Sequence, residues 1–236
     1  MTYPLGMGRP LRPNDDGLTF HALSRGNDRR DVFLDDADRH AFLASLGQTQ
    51  LRYPFRLYGY CLMTNHFHLL LRPEPGVAIG RIMQSLLIAH TWRHHKRHRG
   101  VGHAWQGRFK SPAVQDDEHF WTVLRSVEAN PLRAAIVADP ADYPWSSYPT
   151  HAGHRADPLL GDPPGWADLG DSPEARSRAW GAKVRAALPG ADLAAIRQSL
   201  ASGRPFGDPA WADSRATGLG LGVPKRPRGR PRAVSG

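Results

Sequence analysis

Two histidines, His66 and His68, lie one residue apart within the apolar run YGYCLMTNHFHLLL at residues 58–71. Residues two apart on a β-strand point to the same face, so a strand here would place both imidazoles side by side and Phe67 on the opposite face. Two neutral imidazoles on one face can bind a single divalent metal ion. Taken alone, this motif favours the alternative that the histidines are hydrogen-bonded structural residues.

A predicted helix over residues 118–130 offers a third polar group. Its apolar stripe predicts packing on the sheet, and Asn130 lies on one flank of that stripe with Ser126 one helical turn before it. From that flank Asn130 could reach a metal ion beside the histidines. An asparagine before Pro131 could equally cap a helix that starts at the proline, so the sequence leaves both roles open.

Hydrophobic periodicity predicts the elements that position these side chains. Strands are predicted at 18–26, 55–64, 66–73 and 107–115, with the middle two joined tightly at Thr64-Asn65. Helices are predicted over 34–53, from Ile79 into the basic stretch that ends at 100, and over 116–137 with an interruption or restart at Pro131. The order β-α-β-β-α-β predicts an α+β fold with a ferredoxin-like split βαβ antiparallel sheet and helices on one face.

Composition predicts a polyanionic partner. The 236 residues carry a formal net charge of +9, which favours nucleic acid first and an anionic membrane surface second. No apolar run approaches the roughly 20 residues of a membrane-spanning helix, and no signal peptide opens the sequence. The one cysteine excludes an internal disulfide. We therefore expect a cytoplasmic protein.

Two basic stretches predict DNA contacts. The first, WRHHKRHRGVGHAWQGRFK at 92–110, interleaves cations that neutralise phosphates with aromatic rings that stack on unpaired bases. Its predicted DNA-binding residues are Arg93, Lys96, Arg97, Arg99, Trp105, Arg108 and Lys110. The alternatives are a solvated helix end or a zinc site, and zinc is the weaker one because no cysteine lies nearby.

The second stretch, KRPRGRPR at 225–232, resembles an AT-hook. Its extended Arg228-Gly229-Arg230 segment is thin enough for an A·T-rich minor groove, where arginines meet concentrated negative potential. The alternative is a generic phosphate-binding tail.

Composition also divides the chain. The predicted parts are an irregular N-terminal arm (1–17), a main domain (18–150), a Pro/Gly-rich linker (151–172), a helical C-terminal region (173–218) with Ala-rich helices near 173–188 and 191–202, and a disordered basic tail (219–236).

Several motifs in order resemble those of the REP-associated tyrosine transposases of bacteria, which belong to the single-tyrosine HUH transposase superfamily. They are YCLMTNHFHLLL, GHAWQGRFK, VEANPLRAAIV and DYPWSSY. HALSRGNDRRDVF at 21–33 resembles the first strand and loop of that family, and SGRPFGDPAW resembles a C-terminal segment of some members. The likeness covers about residues 18–150 and, more loosely, 200–232.

The resemblance implies single-stranded DNA chemistry at hairpin-forming repeats, without ATP. In the family, two histidines and a third polar side chain hold Mg²⁺ or Mn²⁺, which polarises the scissile phosphate. A tyrosine one helical turn before the third ligand attacks the phosphorus and forms a 5′-phosphotyrosine bond. Carried to this chain, the resemblance implies His66, His68 and Asn130 as metal ligands.

The nucleophile of the family has no direct counterpart here. Ser126 occupies the tyrosine position, and a serine hydroxyl is a poor nucleophile without an activating base. A relocated nucleophile would come from the tyrosines of the matching block, which are Tyr58, Tyr60, Tyr143 and Tyr148. Otherwise the protein binds its hairpin and does not cut it.

The sequence thus predicts a transposase-like, metal-dependent single-stranded DNA endonuclease and strand transferase, with His66, His68 and position 126 at its active site. The alternative is a domesticated, non-catalytic hairpin DNA-binding protein. An RNA-binding module comes third, because the strands show no RNP-like aromatic pattern. Expected partners are hairpin DNA and, through the tail, A·T-rich duplex DNA, and the expected location is the nucleoid.

Overall fold

The computed structural model of the protein describes residues 17–221. Within this range one antiparallel sheet, in the order β2-β3-β1-β4, contains the strands β1 (Thr19–Arg25), β2 (Phe55–Leu62), β3 (His66–Pro73) and β4 (Ala113–Val114). The α-helices of the same range are α1 (Asp36–Arg52), α2 (Ile79–His98), α3 (Glu118–Glu128), α4 (Asn130–Arg133), α5 (Tyr148–His151), α6 (Pro173–Arg185), α7 (Gly190–Ser202) and α8 (Pro209–Gly218). The β-α-β-β-α-β order and this strand order confirm the ferredoxin-like fold.

One face of the sheet is covered by α1 and α2, as predicted. Phe67, Leu69 and Leu71 of β3 point to this face and pack with apolar side chains such as Phe42 of α1 and Ile82 of α2. The alternation of β3 therefore buries Phe67 on one side and leaves His66 and His68 on the other.

The opposite face is covered by α3 together with α5, α6 and α7, so the prediction of helices on one face holds for α1 and α2 only. The apolar stripe of α3 packs on Cys61 of β2 and Leu70 of β3. Gly59 lets α3 lie directly on β2, because a Cβ atom there would collide with Leu124. The histidine face carries enough apolar residues to require its own cover, and of this cover the sequence predicted only the helix at 118–130.

The predicted strand at 107–115 is mostly irregular. Only Ala113 and Val114 form a regular strand, while Trp105 and Lys110 make isolated bridges to Gly26 and Leu23 of the β1 edge. Pro112 has no amide to donate to a ladder, which limits regular pairing in this stretch. Beyond β4, the amide of Phe206 donates to the carbonyl of Ala113 at 2.8 Å and closes this edge of the sheet.

The Pro/Gly-rich stretch predicted as a linker lies against the sheet. The amide of Gly161 donates to the carbonyl of Leu57 at 2.9 Å, Leu159 packs on the α1 side, and Trp166 packs on the α3 side. Within residues 17–221, no helix is both long and apolar enough to cross a membrane. The predicted N-terminal arm, apart from Gly17, and the arginines of the tail lie outside the described residues.

Candidate functional site

His66 and His68 lie side by side at the start of β3, on the face covered by α3. Their ring centroids are 5.2 Å apart with the rings nearly perpendicular. His68 is paired across strands with Cys61 of β2 and Leu23 of β1, and it is 8% exposed. The sequence expectation that both imidazoles share one face is met by this arrangement.

One ring nitrogen of each histidine is held by a neighbouring polar side chain. Nδ1 of His66 lies 2.7 Å from Oδ1 of Asn65, and Nδ2 of Asn65 donates to the carbonyl of Arg29 at 3.1 Å. Because the Asn65 oxygen only accepts, His66 donates from Nδ1, and its Nε2 carries the lone pair. Nδ1 of His68 lies 2.8 Å from Nε2 of His21 on β1.

This bonding matches the usual support of a metal-bound histidine, in which the nitrogen away from the metal is hydrogen-bonded. Both Nδ1 atoms of the pair are engaged, and when His68 donates from Nδ1 to Nε2 of His21, both Nε2 atoms carry the lone pair that a metal ion needs. Within residues 17–221, no three His, Cys, Asp or Glu side chains are arranged to hold a metal. A metal ion at His66 and His68 would therefore need a third ligand of another type, such as an amide oxygen.

The histidines of the site are neutral. Burial lowers the pKa of His66 to about 4, with a further contribution from the charge of Arg25. Burial also lowers the pKa of His21 to about 4, and burial followed by the charges of His21 and His66 lowers the pKa of His68 well below its usual value. A neutral imidazole is the form that binds metal ions.

These depressed pKa values predict that the fold loses stability in mild acid. Burial lowers the pKa of His21, His66 and His90 to about 4 in the folded protein, against about 6.5 for an unperturbed histidine. Between these values the unfolded chain binds more protons, so the free energy of unfolding falls as the pH decreases from 6.5 towards 4. Each histidine contributes a slope of up to about 1.4 kcal/mol per pH unit.

Urea unfolding at pH 7.5, 6.5, 5.5 and 4.5 measures this dependence. His90→Leu is the matched variant, since it removes one of the buried imidazoles away from the histidine pair and should flatten the slope. A free energy of unfolding that stays constant from pH 7.5 to 4.5 would contradict the prediction.

Ser126 and Asn130 come from the end of α3 and the start of α4. Helix α3 is capped by the Asp117 carboxylate, which accepts from the amide of His119 at 2.7 Å. Ser126 is 6% exposed. Asn130 is the first residue of α4, whose N-cap is Ala129 without a side-chain capping bond, so the capping alternative for Asn130 is not realised.

Glu128 fixes this end of α3. Its carboxylate is fully buried and accepts hydrogen bonds from Ser147, from Nδ1 of His151 at 2.6 Å and from Nε1 of Trp180 at 2.7 Å. These partners tie α3 to α5 and α6, and they occupy the carboxylate. Glu128 therefore acts as a structural anchor and offers no base to Ser126.

The four tyrosines considered as relocated nucleophiles are all buried, with exposures of 2% or less for Tyr58, Tyr60 and Tyr148 and of 7% for Tyr143. Tyr60 points to the α1 side of the sheet and donates to Asp157 at 2.7 Å, and Tyr143 donates to the carbonyl of Leu62 at 2.6 Å. Burial raises the pKa of all four phenols, to about 12 for Tyr143. A buried phenol with a raised pKa is a poor nucleophile.

A family comparison decides the class of this domain. Residues 15–130 match the model of the family described as "Transposase IS200 like". These residues make up just under half of the chain and resemble the IS200-like transposase family. The resemblance to tyrosine transposases that the sequence motifs indicated is confirmed.

One solved structure shares the fold of this chain. A REP-associated tyrosine transposase, solved bound to a REP hairpin, superposes with a TM-score of 0.54 and 18% sequence identity, over 67% of this chain and 94% of that chain. A candidate transposase from Deinococcus radiodurans R1 covers 57% of this chain and 92% of its own, with 18% identity and a TM-score of 0.36. No curated protein sequence matches the chain. At 18% identity, the first structure is evidence for the fold of the IS200-like domain alone.

The structure gives two of the predicted DNA-binding residues internal partners. Arg97 bonds with both Asp35 and Asp38 at the start of α1 at 2.6 and 2.7 Å. Trp105 is 8% exposed and donates from Nε1 to the carbonyl of Leu87 at 3.3 Å. A DNA contact by either residue would first have to break these interactions, so the prediction now rests on the exposed cations, which are Arg93, Lys96, Arg99, Arg108 and Lys110.

Sequence reasoning missed the residues that orient the histidine pair. His21 and Asn65 lie in the motifs HALSRGNDRRDVF and YCLMTNHFHLLL, yet neither receives a role from the sequence alone. The signal for Asn65 is its position next to His66. His21 lies 47 residues before His68, and only the antiparallel pairing of β1 with β3 brings the two together.

Proposed function

We propose that this transposase-family protein binds hairpin-forming single-stranded DNA, with a divalent metal ion held by His66, His68 and Asn130. The observation that carries this proposal is the pair of neutral imidazoles whose Nδ1 atoms are both engaged and whose Nε2 atoms remain for a metal. Mg²⁺ or Mn²⁺, when bound, would polarise a phosphate as a Lewis acid. Asn65 and His21 orient the imidazoles that would hold it.

Two further observations support DNA as the ligand. The formal net charge of +9 favours a polyanion. The REP-associated transposase that shares the fold was solved with a REP hairpin, which makes a hairpin with single-stranded flanks the first ligand to test. A protein with this function would act on cytoplasmic DNA and associate with the nucleoid.

The proposed function does not include cleavage through tyrosine. Ser126 stands where the sequence resemblance implies the nucleophile, and the four tyrosines of the matching block are buried with raised pKa values. Metal-dependent cleavage and strand transfer are the second candidate, favoured by the intact histidine pair.

A single assay separates the two candidates. Hairpin oligonucleotides with 5′ labels are incubated with the protein and Mn²⁺, and both complexes and covalent products are resolved on native and denaturing gels. The proposal expects a complex on the native gel and intact DNA on the denaturing gel. Cleaved DNA or a covalent adduct would favour the second candidate, and the lack of any complex would refute both.

The tail is proposed as a separate site for A·T-rich duplex DNA through Arg228 and Arg230, which lie outside the described residues. Deleting residues 224–236 should weaken binding to an A·T-rich duplex. It should also flatten the dependence of affinity on salt by about one unit of slope for each phosphate that the tail neutralises. Fluorescence anisotropy over a salt series measures both, with hairpin binding as the internal control. Equal slopes with and without the tail would contradict this prediction.

A further inference from the structure

Two adjoining cavities lie where α7 meets the edge of β1, next to the histidine pair. The smaller cavity, about 210 Å³, is lined by four cations, which are Arg25, Arg108, Lys110 and Arg197. The larger cavity, about 440 Å³, shares Arg108, Lys110 and Leu200 with the smaller one. Arg197 and Leu200 belong to α7, which lies beyond the residues that match the transposase family.

The smaller cavity adjoins the candidate metal site. Arg25 is paired across the strands with His66, and Leu23, which also lines the cavity, is paired with His68. Side chains of directly paired residues lie about 5 Å apart at Cβ. Arg25 is also close enough for its charge to contribute, after burial, to the lowered pKa of both histidines.

The cations of the smaller cavity have no acidic counterparts. The residues that line it include no Asp or Glu. Among the ion pairs of residues 17–221, none contains Arg25, Arg108, Lys110 or Arg197. The buried Nε of Arg25 has no hydrogen-bond partner in the same part of the chain. Converging cations without carboxylates supply the positive charge and the N–H donors that the acceptor oxygens of a phosphodiester bind.

The larger cavity has a different character. Its walls are mainly apolar and include Phe20, Ile79, Ala113 and Leu219. Its volume of about 440 Å³ falls within the range of small-molecule sites. Arg108 and Lys110 line both cavities. A ligand whose apolar part enters the larger cavity can therefore have its phosphate bound by Arg108 or Lys110.

We propose that the two cavities together bind one unpaired nucleotide of the DNA strand, with its phosphate among the four cations and its base in the apolar cavity. This proposal rests on the proposed hairpin-binding function and adds where a flanking nucleotide is held. Extruded bases are bound in this way elsewhere, by apolar walls around the base and cations along the backbone. Helix α7 thereby extends the DNA-binding surface beyond the family domain.

The tail of the chain is the competing occupant. It continues from Leu221, which lines the larger cavity. The tail carries the cations Lys225, Arg226, Arg228, Arg230 and Arg232, so the cations that line both cavities would repel it. The same cations attract a phosphodiester, and this difference favours the nucleotide.

The test uses the full chain and a hairpin whose single-stranded flanks carry 2-aminopurine at one position at a time, in EDTA so that the metal does not enter. One flank position is expected to change its fluorescence several-fold on binding, because its base leaves the stack. Ala201→Phe places a ring in the lining of the larger cavity and should abolish that change. Ala195→Phe is the control, since Ala195 is exposed on the same helix and does not line either cavity.

The phosphate half is tested with Arg197→Gln. Affinity for the flanked hairpin should fall several-fold, and the salt slope should drop by about 0.7, the value of one single-strand phosphate contact. Arg178→Gln on α6 is the matched control, because Arg178 lines neither of these cavities.

Two results would overturn the inference while leaving the proposed function intact. One is hairpin binding in which no flank position responds, or in which the response survives Ala201→Phe. The other is a response that appears only after residues 224–236 are deleted, which would identify the tail as the occupant. Absence of any hairpin binding would instead refute the proposed function and this site with it.

Discussion

Replacing either His66 or His68 by alanine is expected to abolish Mn²⁺ binding while the fold remains intact. The two Nε2 atoms are the proposed metal ligands, and one imidazole cannot replace the geometry of two, so we expect affinity to fall by more than about a hundredfold. Neither side chain packs in the core beneath α1 and α2, which lies on the Phe67 side of β3. Isothermal titration calorimetry measures the affinity, and circular dichroism measures the fold.

A graded control distinguishes ligands from supporting residues. Asn65→Leu leaves both imidazoles in place and removes the acceptor of the His66 Nδ1 proton, so Mn²⁺ affinity should fall by only about 10-fold to 100-fold. His154→Ala removes an exposed histidine outside the site and should change nothing. Unchanged Mn²⁺ affinity in both His66→Ala and His68→Ala would show that the two histidines do not bind the metal ion and have a structural role.

Local patterns predicted the parts of the fold that local physics dictates. The β2–β3 hairpin at Thr64-Asn65, the amphipathic α2 and the break of α3 before Pro131 each depend on residues close in sequence. The orientation of His66 and His68 followed from the same rule, because the side-chain period of a strand is two.

Contacts between residues distant in sequence determined the features of the site that the sequence analysis did not predict. His21 meets His68 only through the pairing of β1 with β3. Trp105 lies in a basic stretch, which suggested a contact with DNA, yet its ring packs against Phe67 and His90. Burial of a large aromatic ring is strongly stabilising, and the basic sequence around Trp105 gives no sign of it. Arg97 likewise pairs with two carboxylates at the N-terminus of α1, which no pattern within its own helix reveals.

The second large expected effect is on DNA cleavage and comes from substitution of Ser126. Wild-type protein should form a complex with hairpin DNA and Mn²⁺ without a covalent adduct, because a serine hydroxyl is a poor nucleophile and the carboxylate of Glu128 on the same helix is fully engaged. Ser126→Tyr should restore some metal-dependent cleavage, since one helical turn separates this position from Asn130. Restoration should be partial, because Ser126 is 6% exposed and a phenol there overpacks its surroundings, at a typical cost of about 1–3 kcal/mol.

The matched control for this variant is Ser126→Phe, which adds the same ring without the hydroxyl and should bind hairpin DNA without cutting it. Covalent adducts are detected on denaturing gels, and peptide mapping identifies the residue that carries the DNA. A wild-type adduct on Tyr58, Tyr60, Tyr143 or Tyr148 would show that a buried phenol becomes exposed when DNA binds, and it would contradict the loss of cleavage. A wild-type adduct on Ser126 itself would require an activating base at that position, in conflict with the hydrogen bonds that hold the Glu128 carboxylate in the core.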